Sequence, residues 1–495
     1  MTKLRVEMEV EVKSESRVLS ANEAERLRSF LACNDTVLRV VDRLHEGGVR
    51  AYLVGGAVRD LVMVRPLKDL DIEVHGIDLD SLRGVLADFG HVEAVGKSFG
   101  VLKLFSHGVS GASDWSIPRH DGPGRKPIVS VAPYMDIKTA LKRRDLTMNA
   151  MAIDLHDQRL FDPFGGEADI QAHRLSCIDP DIFIEDPLRF FRVMQFAARF
   201  DMEPDELLNA VCSVMSIKGV SRERIGGEFE KMLMLSSSPS LGIRWLLKVG
   251  RLEEVMPELG AIVDINQNPL WHPEGTVFEH TMQVLDAAVL EGSGLDDEDR
   301  CVLMFAALCH DLGKVKTTVR QIDGRLTSYG HDQASVPLAR GFLARLMVSS
   351  KRIKRVCLLV RDHMSPVSFV STGAKEAAFK RLAIRLAPDV SLVLLARLAN
   401  ADMRGRNGAG MVPIEGPVAV VQEFIDKAKA YGVLEGPELP VIKGVDLREY
   451  VESGPLIGKI VRRAYEIQTR DGIVNKKLLM QRIVREFKLQ VQKTE

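Results

Sequence analysis

Apolar positions change their spacing along the chain, and the change separates two kinds of structure. Residues 23–45 carry leucine and valine at helical spacing, which predicts one helix ending at Gly47–Gly48. Short apolar runs then alternate with helical stretches. The predicted strands are Ala51–Val54, Leu70–Val74, Val101–Phe105, Ile128–Val131 and Met151–Leu155. From Ile182 onward such runs nearly vanish, so the pattern predicts an α+β chain, with an α/β head followed by a helical region.

The length of 495 residues indicates several domains, because a single hydrophobic core stops growing at roughly 250–300 residues. Two stretches rich in glycine, proline or polar residues, Asn266–Gly275 and Gly405–Gly416, are expected boundaries. The expected divisions are a poorly ordered N-terminal extension (1–22), the head (23–175), a helical neck (176–265), a further helical unit (266–405) and a helical tail (406–495).

Composition narrows the class of protein. Hydrophobic residues make up 46% and charged residues 27%, as in globular proteins rather than disordered or membrane ones. The net charge of −1 neither requires nor excludes a nucleic-acid partner, although the last fifty residues are basic. Six cysteines without a CxxC pair predict reduced thiols. The polar amino end and a longest apolar run of only Val302–Cys309 predict no membrane segment and a cytoplasmic location.

The most informative stretch is Leu53–Gly76 (LVGGAVRDLVMVRPLKDLDIEVHG), which contains the pair Gly55–Gly56. The glycines permit a tight turn into a helix whose first amides favour phosphate, and Arg59 can meet the same phosphate. Asp69 and Asp71 stand two apart at the next predicted strand, so both carboxylates are expected on one face. Such a pair suits Mg²⁺, and a two-metal site can activate a 3′-hydroxyl and stabilise leaving pyrophosphate. The plain alternative is a turn followed by two solvated aspartates, which this order and spacing disfavours.

Four further motifs follow in order. They are Arg143–Ala152 (RRDLTMNAMA), Asp162–Gly166 (DPFGG) with Asp169, Glu185–Arg192 (EDPLRFFR) and Ser221–Leu233 (SRERIGGEFEKML). With the first, they resemble motifs A to E of the class II tRNA nucleotidyltransferases, the CCA-adding enzymes and their bacterial poly(A) polymerase relatives. The resemblance implies a polymerase-β-like nucleotidyltransferase head with an all-helical neck. It also implies addition of CCA to the tRNA 3′ end from CTP and ATP.

The resemblance assigns roles residue by residue. It implies that Asp69 and Asp71 bind the catalytic Mg²⁺ ions and that Asp186 and Arg189 recognise the incoming base. The other implied nucleotide-binding residues are Gly55, Gly56 and Arg59, which hold the triphosphate, Asp145 and Asn149, which contact the ribose or position the nucleotide, and Arg192, in the same motif as Asp186 and Arg189.

A carboxylate and a guanidinium together can select the base. Cytosine and adenine each present an exocyclic amine beside a ring nitrogen, so Asp186 can accept from the amine while Arg189 donates to the nitrogen. Uracil and guanine place a carbonyl where the amine should be. Asp186 is expected to be a helix N-cap with Pro187 at the first helical position. The plain alternative makes Asp186 only a cap and Arg189 only a surface residue.

The head also departs from the family pattern. Val64 replaces a usual glycine and Leu146 a usual phenylalanine, and only a local turn change is expected. Asp114 is a candidate third metal carboxylate on a neighbouring strand, the alternative being a structural or surface aspartate. The stretch Ser116–Pro127 predicts a mobile loop. Because this loop helps to change specificity from C to A in the family, its unusual content leaves open whether both bases are added.

A second set of candidate ligands lies downstream. Its members, in order, are His280, His310, Asp311, His331, His363 and Asp402. Histidine and aspartate bind divalent metals well, and a metal-bound water can attack a phosphate ester. Any one of these histidines alone is more often structural. An apolar helix ending in His-Asp-Leu-Gly, flanked by the others, resembles the HD-domain phosphohydrolases, which some bacterial CCA-adding enzymes carry.

This second resemblance implies a metal centre in residues 266–405. The implied ligands of a first metal, whose identity the sequence does not give, are His280, His310, Asp311 and Asp402. His331 and His363 are implied to bind a second metal or the phosphate. The expected substrates are 2′,3′-cyclic phosphates or phosphomonoesters at RNA ends.

Three other functions remain open from the sequence. A restricted transferase would add only CC or only A. A poly(A) polymerase is disfavoured by the HD-like region, by the lack of a strongly basic tail, and by Gly96–Phe99 (GKSF) in place of an Arg-Arg pair. A hydrolase whose head only binds RNA is disfavoured by the intact aspartates and arginine, Asp69, Asp71, Asp186 and Arg189.

Overall fold

The structure of the protein is a computed structural model that describes residues 15–32, 34–95, 100–106, 112–121, 129–452 and 454–490. The chain divides into two compact units, Met1–Glu228 and Phe229–Glu495. The Gly96–Phe99 pattern, most of the predicted extension and the second half of the predicted loop lie outside the described residues. In the first half of that loop, Arg119–Asp121 forms a short strand.

A mixed sheet forms the core of the first unit. The strands of this unit, most of which belong to the sheet, are β1 (Ser16–Val18), β2 (Arg50–Val54), β3 (Asp71–His75), β4 (Gly90–Val95), β5 (Val101–Ser106), β6 (Ala112–Ser116), β7 (Arg119–Asp121), β8 (Val129–Val131), β9 (Ala152–Asp154), β10 (Arg159–Phe161), β11 (Arg174–Leu175) and β12 (Glu203–Pro204). Eight of them are hydrogen-bonded in the order β1-β10-β9-β2-β3-β6-β5-β4. Only β3 and β6 run parallel within this sheet, and β7–β8 and β11–β12 pair separately.

The five predicted strands correspond to β2, β3, β5, β8 and β9, with ends shifted by one or a few residues. The N-terminal extension was predicted to be poorly ordered, but Ser16–Val18 pairs with β10 and so belongs to the sheet. Short strands beyond Ile182 are also present, one of them Glu203–Pro204. These strands have too few apolar residues to show an alternating pattern.

Helices cover the sheet and continue beyond it. Those of the first unit are α1 (Ala21–Ala32), α2 (Asp35–Glu46), α3 (Gly56–Val62), α4 (Leu79–Ala87), α5 (Ile137–Lys142), α6 (Gly166–Gln171), α7 (Pro180–Phe183), α8 (Leu188–Phe200), α9 (Glu206–Val214) and α10 (Arg222–Leu235), the last of which contains the unit boundary. The prediction of one helix over 23–45 was wrong, since α1 and α2 are separate. The pair Asn34–Asp35 explains the break, because both residue types favour a helix start.

The second unit is nearly all helix. Its elements are α11 (Ser240–Lys248), α12 (Leu252–Val255), α13 (Pro257–Gly260), α14 (Val277–Glu291), α15 (Asp297–Cys309), α16 (Lys314–Thr317), β13 (Val319–Arg320), β14 (Leu326–Thr327), α17 (His331–Arg345), α18 (Ser350–Asp362), α19 (Ser365–Ser371), α20 (Glu376–Leu386), α21 (Leu392–Arg404), α22 (Ala419–Ala430), α23 (Pro455–Asp471) and α24 (Lys476–Phe487). Helix α14 packs against α15 and α21, and α15 packs against α18.

Two further expectations from composition can be compared with the structure. In the part of the chain that the structure describes, no helix has the length and apolarity that a membrane crossing needs. The five cysteines described there are free and buried. Burial raises the pKa of Cys301 to about 12, so its thiol stays protonated at neutral pH.

Val64 lies in a left-handed turn, with φ 56°, after helix α3. A β-branched residue is strained there, and its side chain is 68% exposed, so packing offsets little of the strain. We expect Val64→Gly to raise the free energy of unfolding by about 1 kcal/mol, measured by urea denaturation. Val214, an exposed valine at the end of α9, is the control, because Val214→Gly should give no gain. No gain at position 64 would contradict the assignment of strain.

Candidate active sites in the two units

Three carboxylates of the first unit, those of Asp69, Asp71 and Asp114, line one cleft of about 380 Å³. Asp71 begins β3 and pairs in register with Asp114 on β6. The prediction that Asp69 lies on the same strand was wrong, because the strand begins at Asp71. Both aspartates nevertheless face the cleft. Among the described residues, these oxygens do not all come within 4.8 Å of one another, unlike the histidine groups of the second unit.

The charges around this cleft suit a cation. Loss of contact with water raises the pKa of the Asp71 carboxyl, and the like charges of Asp114 and Asp69 raise it further, although Arg144 opposes them. Lys103 Nζ lies 3.5 Å from Asp114 Oδ1. A divalent ion between the carboxylates would relieve their repulsion, so this donor set fits Mg²⁺, which prefers carboxylate oxygen.

Gly55 has a left-handed backbone conformation that favours glycine. Its φ is 72°, and a Cβ at this position would lie 2.6 Å from Arg144 Nη1. Arg144 was not among the predicted site residues. Its Nε atom is buried and makes no hydrogen bond, and its charge acts on both Asp71 and Asp145. The signal that could have identified it is its position directly before Asp145 in the RRD sequence.

Four of the predicted nucleotide-binding residues form one hydrogen-bonded chain. Arg59 Nη1 donates to Asn149 Oδ1 at 2.9 Å, and Asn149 Nδ2 donates to Asp145 Oδ1 at 3.0 Å. Arg192 Nε donates to the other oxygen of Asp145 at 2.5 Å. Burial by itself would raise the pKa of Asp145, but the charge of Arg192 and these hydrogen bonds bring it to about 2. The carboxylate is therefore ionised and fixed in orientation.

The DPFGG motif supports the turn that carries Asn149 of this hydrogen-bonded chain. Asp162 accepts hydrogen bonds from the backbone N–H groups of Gly166 and Glu167, at 2.7 and 2.9 Å. A Cβ on Gly166 would lie 2.5 Å from the Thr147 carbonyl oxygen, so only glycine permits this approach. The Thr147 hydroxyl in turn donates to Asp169 at 2.5 Å. These contacts fix the turn that carries Asn149.

Asp186 and Arg189 lie at the start of α8, but their surroundings differ from the prediction. The N-cap is Pro187, one residue later than predicted, although Asp186 Oδ1 still accepts from the Leu188 N–H at 3.0 Å. Arg224 Nη2 lies 3.1 Å from Asp186 Oδ2, a partner not predicted from the sequence. The two terminal nitrogens of Arg189 donate to the carbonyl oxygens of Ile182 and Arg143, at 2.6 and 2.7 Å.

The second unit brings all six predicted HD ligands together. Two compact groups form, each with ligand atoms within 4.8 Å of one another: His280, His310 and Asp402, and Asp311, His331 and His363. Asp311 faces both groups, since Oδ2 lies 3.3 Å from His310 Nε2 and Oδ1 lies 3.2 Å from His331 Nε2. Asp311 Oδ2 also lies 3.6 Å from His280 Nε2, so this carboxylate lies beside the residues predicted for the first metal as well as beside the second group.

Three of these histidines are held in one tautomer. Each donates from Nδ1 to the carbonyl oxygen three residues earlier, at 2.8, 2.8 and 2.7 Å, for His310, His331 and His363 respectively. Their Nε2 atoms are therefore lone-pair donors, and those of His331 and His363 lie 3.2 Å apart. Burial lowers the pKa of His363 to about 4, so it is neutral at pH 7. Asp311 Oδ1 is buried and accepts no hydrogen bond. Divalent cations fit this arrangement.

Glu274, which was not predicted from the sequence, contacts His280 of the first histidine group. Its Oε1 lies 2.7 Å from His280 Nδ1 and 2.8 Å from His272 Nδ1. Burial would raise the pKa of Glu274, but these two histidines bring it to about 2. A carboxylate behind a ligating histidine raises its basicity and fixes its ring. The stretch 266–275, predicted only as a boundary, thus contributes to the centre. Burial also opposes a charge on His280, yet Asp402 and Glu274 raise its pKa above the usual value.

The stretch that begins at Gly405 was predicted as a linker, but its first residues pack against α14. The Gly405 carbonyl oxygen lies 3.2 Å from His280 Nδ1, and a Cβ on Gly405 would lie 2.5 Å from Val284 Cγ2. Two cations complete the surroundings. Lys314 Nζ lies 2.7 Å from Asp311 Oδ2, and Arg406 Nη2 lies 3.0 Å from Asp402.

The head fold and the histidine–aspartate groups together define a nucleotidyltransferase joined in one chain to an HD-type metal region. Residues 51–176 match the family described as the poly A polymerase head domain, and residues 277–396 match the HD domain family. Both resemblances inferred from the motifs, and the α+β fold class, are confirmed by these matches.

Whole-chain relatives agree with both matches. The chain is 33% identical over 373 residues to the multifunctional CCA protein of Pasteurella multocida (strain Pm70), covering 73% of this chain and 85% of that protein. It is 32% identical over 433 residues to that of Halorhodospira halophila, covering 83% and 94%. The chain belongs to the family of multifunctional CCA proteins.

Solved structures share the fold at lower identity. The Bacillus stearothermophilus CCA-adding enzyme in complex with CTP has a TM-score of 0.63 and 19% identity, covering 92% of this chain and 99% of that one. The Thermotoga maritima CCA-adding enzyme complexed with tRNA has a TM-score of 0.60 and 18% identity, covering 95% and 99%.

Proposed function

We propose that the first unit adds CCA to the 3′ end of tRNA, with CTP and ATP as substrates. The observation that carries this function is that the carboxylate cleft lies beside the hydrogen-bonded chain of predicted nucleotide-binding residues. Asp69, Asp71 and Asp114 line one cleft, and Arg144, whose charge acts on Asp71, also acts on Asp145 of the nucleotide-binding chain. The relatives at 32–33% identity are CCA proteins, which favours CCA addition over poly(A) synthesis.

Catalysis in this site rests on positioning and charge. Asp69 and Asp71, with Asp114, would hold Mg²⁺. When bound, Mg²⁺ supplies activation of the tRNA 3′-hydroxyl and neutralisation of the leaving pyrophosphate. The chain's own groups place the substrate. Arg59 and Arg144 lie beside the glycine turn as cations for the triphosphate, and the Asp145–Asn149 pair presents fixed polar atoms to the ribose.

Asp186 is the proposed reader of the base amine, and Arg224, 3.1 Å from its carboxylate, would hold it in place. Asp186→Ala is expected to raise KM for both CTP and ATP about tenfold and to weaken the rejection of UTP, because one good polar contact to a base contributes roughly 1–3 kcal/mol of discrimination. Single-nucleotide extension with each NTP measures this effect. Glu185→Ala, which changes the adjacent exposed carboxylate, is the control. An unchanged CTP-to-UTP ratio in Asp186→Ala would remove Asp186 from base recognition.

An extension assay tests the function itself. A tRNA transcript lacking CCA is incubated with the protein and Mg²⁺, together with CTP, ATP, UTP, GTP, or CTP plus ATP. We expect two C residues with CTP alone and one further A with both nucleotides. Arrest after CC would identify a restricted transferase, a long A tail a poly(A) polymerase, and no addition a head that only binds RNA.

The histidine groups support a second function, hydrolysis of phosphate esters in the second unit. Imidazole nitrogen with carboxylate oxygen suits transition metals or Zn²⁺ better than Mg²⁺ or Ca²⁺. The six HD residues would hold such ions, which when bound supply an activated water. Four of the six residues, Asp311, His331, His363 and Asp402, line a cavity of about 530 Å³ that Lys314 and Arg406, cations suited to phosphate, also line. We infer that 2′,3′-cyclic phosphates and phosphomonoesters are the substrates.

A further inference from the structure

We propose that the second-unit cavity binds a nucleobase against Trp271 and Tyr329, so that it selects nucleotides over small phosphate esters. The inference rests on the proposed phosphohydrolase function and specifies its substrate. Both aromatic residues line the same cavity as Asp311 and His331 of the metal groups. The geometry thus combines a phosphate-directed floor with an aromatic wall.

The exposure of the two rings is the first argument. Trp271 is 67% exposed and Tyr329 is 85% exposed. The other two tryptophans of the chain, Trp115 and Trp245, are buried in the two units. An aromatic ring that is exposed to water beside a polar cavity is stabilised when a flat apolar surface covers it. Every nucleobase has such a face, and base–aromatic stacking tolerates different sequences.

Both aromatic residues are anchored to the metal groups through the backbone. The Trp271 N–H donates to the Asn268 carbonyl oxygen at 3.1 Å. Trp271 directly precedes His272, whose ring bonds to Glu274 at 2.8 Å. Tyr329 lies two residues before His331, across a left-handed Gly330 with φ 76°. The backbone of each aromatic residue therefore belongs to a short hydrogen-bonded turn close in sequence to His272 or His331.

Size and charge point to the same ligand class. A bare phosphate or glycerol phosphate would fill a small part of the roughly 530 Å³ cavity, whereas this volume lies in the range of pockets for nucleotide-sized ligands. Arg325, Lys314 and Arg406 also line the cavity, and the last two contact Asp311 and Asp402 of the metal groups. A phosphate at the metal groups would therefore lie beside cations, while a neutral base would lie against the aromatic residues. A nucleoside 2′,3′-cyclic phosphate, free or as the last residue of an RNA strand, has this polarity.

The reaction on such a ligand is balanced by water alone. The water oxygen forms a new bond to phosphorus, one bond between phosphorus and a ribose oxygen breaks, and that ribose oxygen takes a proton from the water. The base takes no part in bond changes, so the aromatic residues determine specificity rather than chemistry.

Binding gives a test that does not depend on turnover. Because Trp271 is the exposed tryptophan, titration with adenosine 3′-monophosphate should quench the intrinsic fluorescence of the full-length protein. Glycerol 2-phosphate should not. In Trp271→Phe, which lacks the indole, this quenching should disappear. Quenching by both ligands alike would overturn the proposal.

Kinetics give the second test. Trp271→Ala and Tyr329→Ala should each raise KM for adenosine 2′,3′-cyclic phosphate about five- to tenfold, with unchanged kcat, unchanged KM for glycerol 2-phosphate and unchanged metal content. Leu270→Ala is the matched control, since Leu270 is an exposed neighbour that does not line the cavity. An equal rise in KM for both substrates, or no rise, would refute base stacking.

Two further comparisons separate the hydrolase function from the base site, and free nucleotide from an RNA end. If no phosphate ester is hydrolysed but nucleotide still quenches Trp271, the hydrolase function fails and the base site stands. To separate the two sources of ligand, free cyclic nucleotide is compared with an RNA oligomer that ends in a 2′,3′-cyclic phosphate. Base stacking requires the alanine variants to lose affinity for at least one of them, and the more strongly affected ligand is the source.

Discussion

Replacing Asp71 by asparagine is expected to abolish nucleotide addition, with a fall in rate of at least about a thousandfold. The carboxylate faces Asp114 across the parallel pair β3–β6, and the two line one cleft with Asp69. Asparagine keeps the shape of the side chain but removes the charge that would hold a divalent ion. The rate of incorporation of the first C into tRNA lacking CCA, at saturating CTP and Mg²⁺, measures the effect.

The control for this variant is Asp42→Asn, an exposed aspartate in the middle of α2 that lies outside the cleft. It should leave addition unchanged. Hydrolysis in the second unit should also persist in Asp71→Asn, since the proposed hydrolytic ligands are all in that unit. If addition survived in Asp71→Asn, the assignment of this carboxylate to the catalytic ions would be wrong.

Asp311→Asn is expected to have the largest effect in the second unit. Asp311 offers one oxygen to each histidine group, so losing its charge weakens both. It also leaves Lys314, 2.7 Å away and buried, without its anionic partner. We expect at least a hundredfold loss of phosphoester hydrolysis and a lower metal content after dialysis, measured by elemental analysis. Addition of CCA should be retained.

Asp332→Asn provides the matched comparison, because Asp332 lines the same cavity but belongs to neither ligand group. Its hydrolysis and metal content should stay near those of the unchanged protein. Full metal content together with full hydrolysis in Asp311→Asn would exclude Asp311 as a shared ligand. A loss of both activities would instead indicate that the substitution damages the fold.

The fold was predictable where the chain pattern is local. The buried run Ala51–Val54 and the apolar run at Met151–Leu155 correspond to adjacent strands of the sheet. Strand Ala112–Ser116 was not found, since only one of its five side chains, that of Trp115, is large and apolar. Its pairing with β3 and β5 makes it a strand, and residues near it in sequence do not reveal those partners.

In the sites, too, local motifs could be predicted from the sequence, whereas contacts between distant residues could not. Motif order identified Asp145 and Asn149, but the hydrogen bond from Arg59 to Asn149 joins residues 90 positions apart and required the fold. The six proposed HD ligands could be named from the resemblance to the HD-domain phosphohydrolases, whereas their arrangement in two groups depends on how five helices pack, namely α14, α15, α17, α18 and α21. Glu274 carried little signal, because a single glutamate between proline and glycine is typical of a surface turn.

The three histidines bound to carbonyl oxygens three residues earlier have a consequence for how the hydrolytic centre is completed. Each ring is oriented by a contact with the backbone three residues earlier, so the folded chain alone orients the nitrogens that would bind an ion. Little rearrangement then accompanies capture or release.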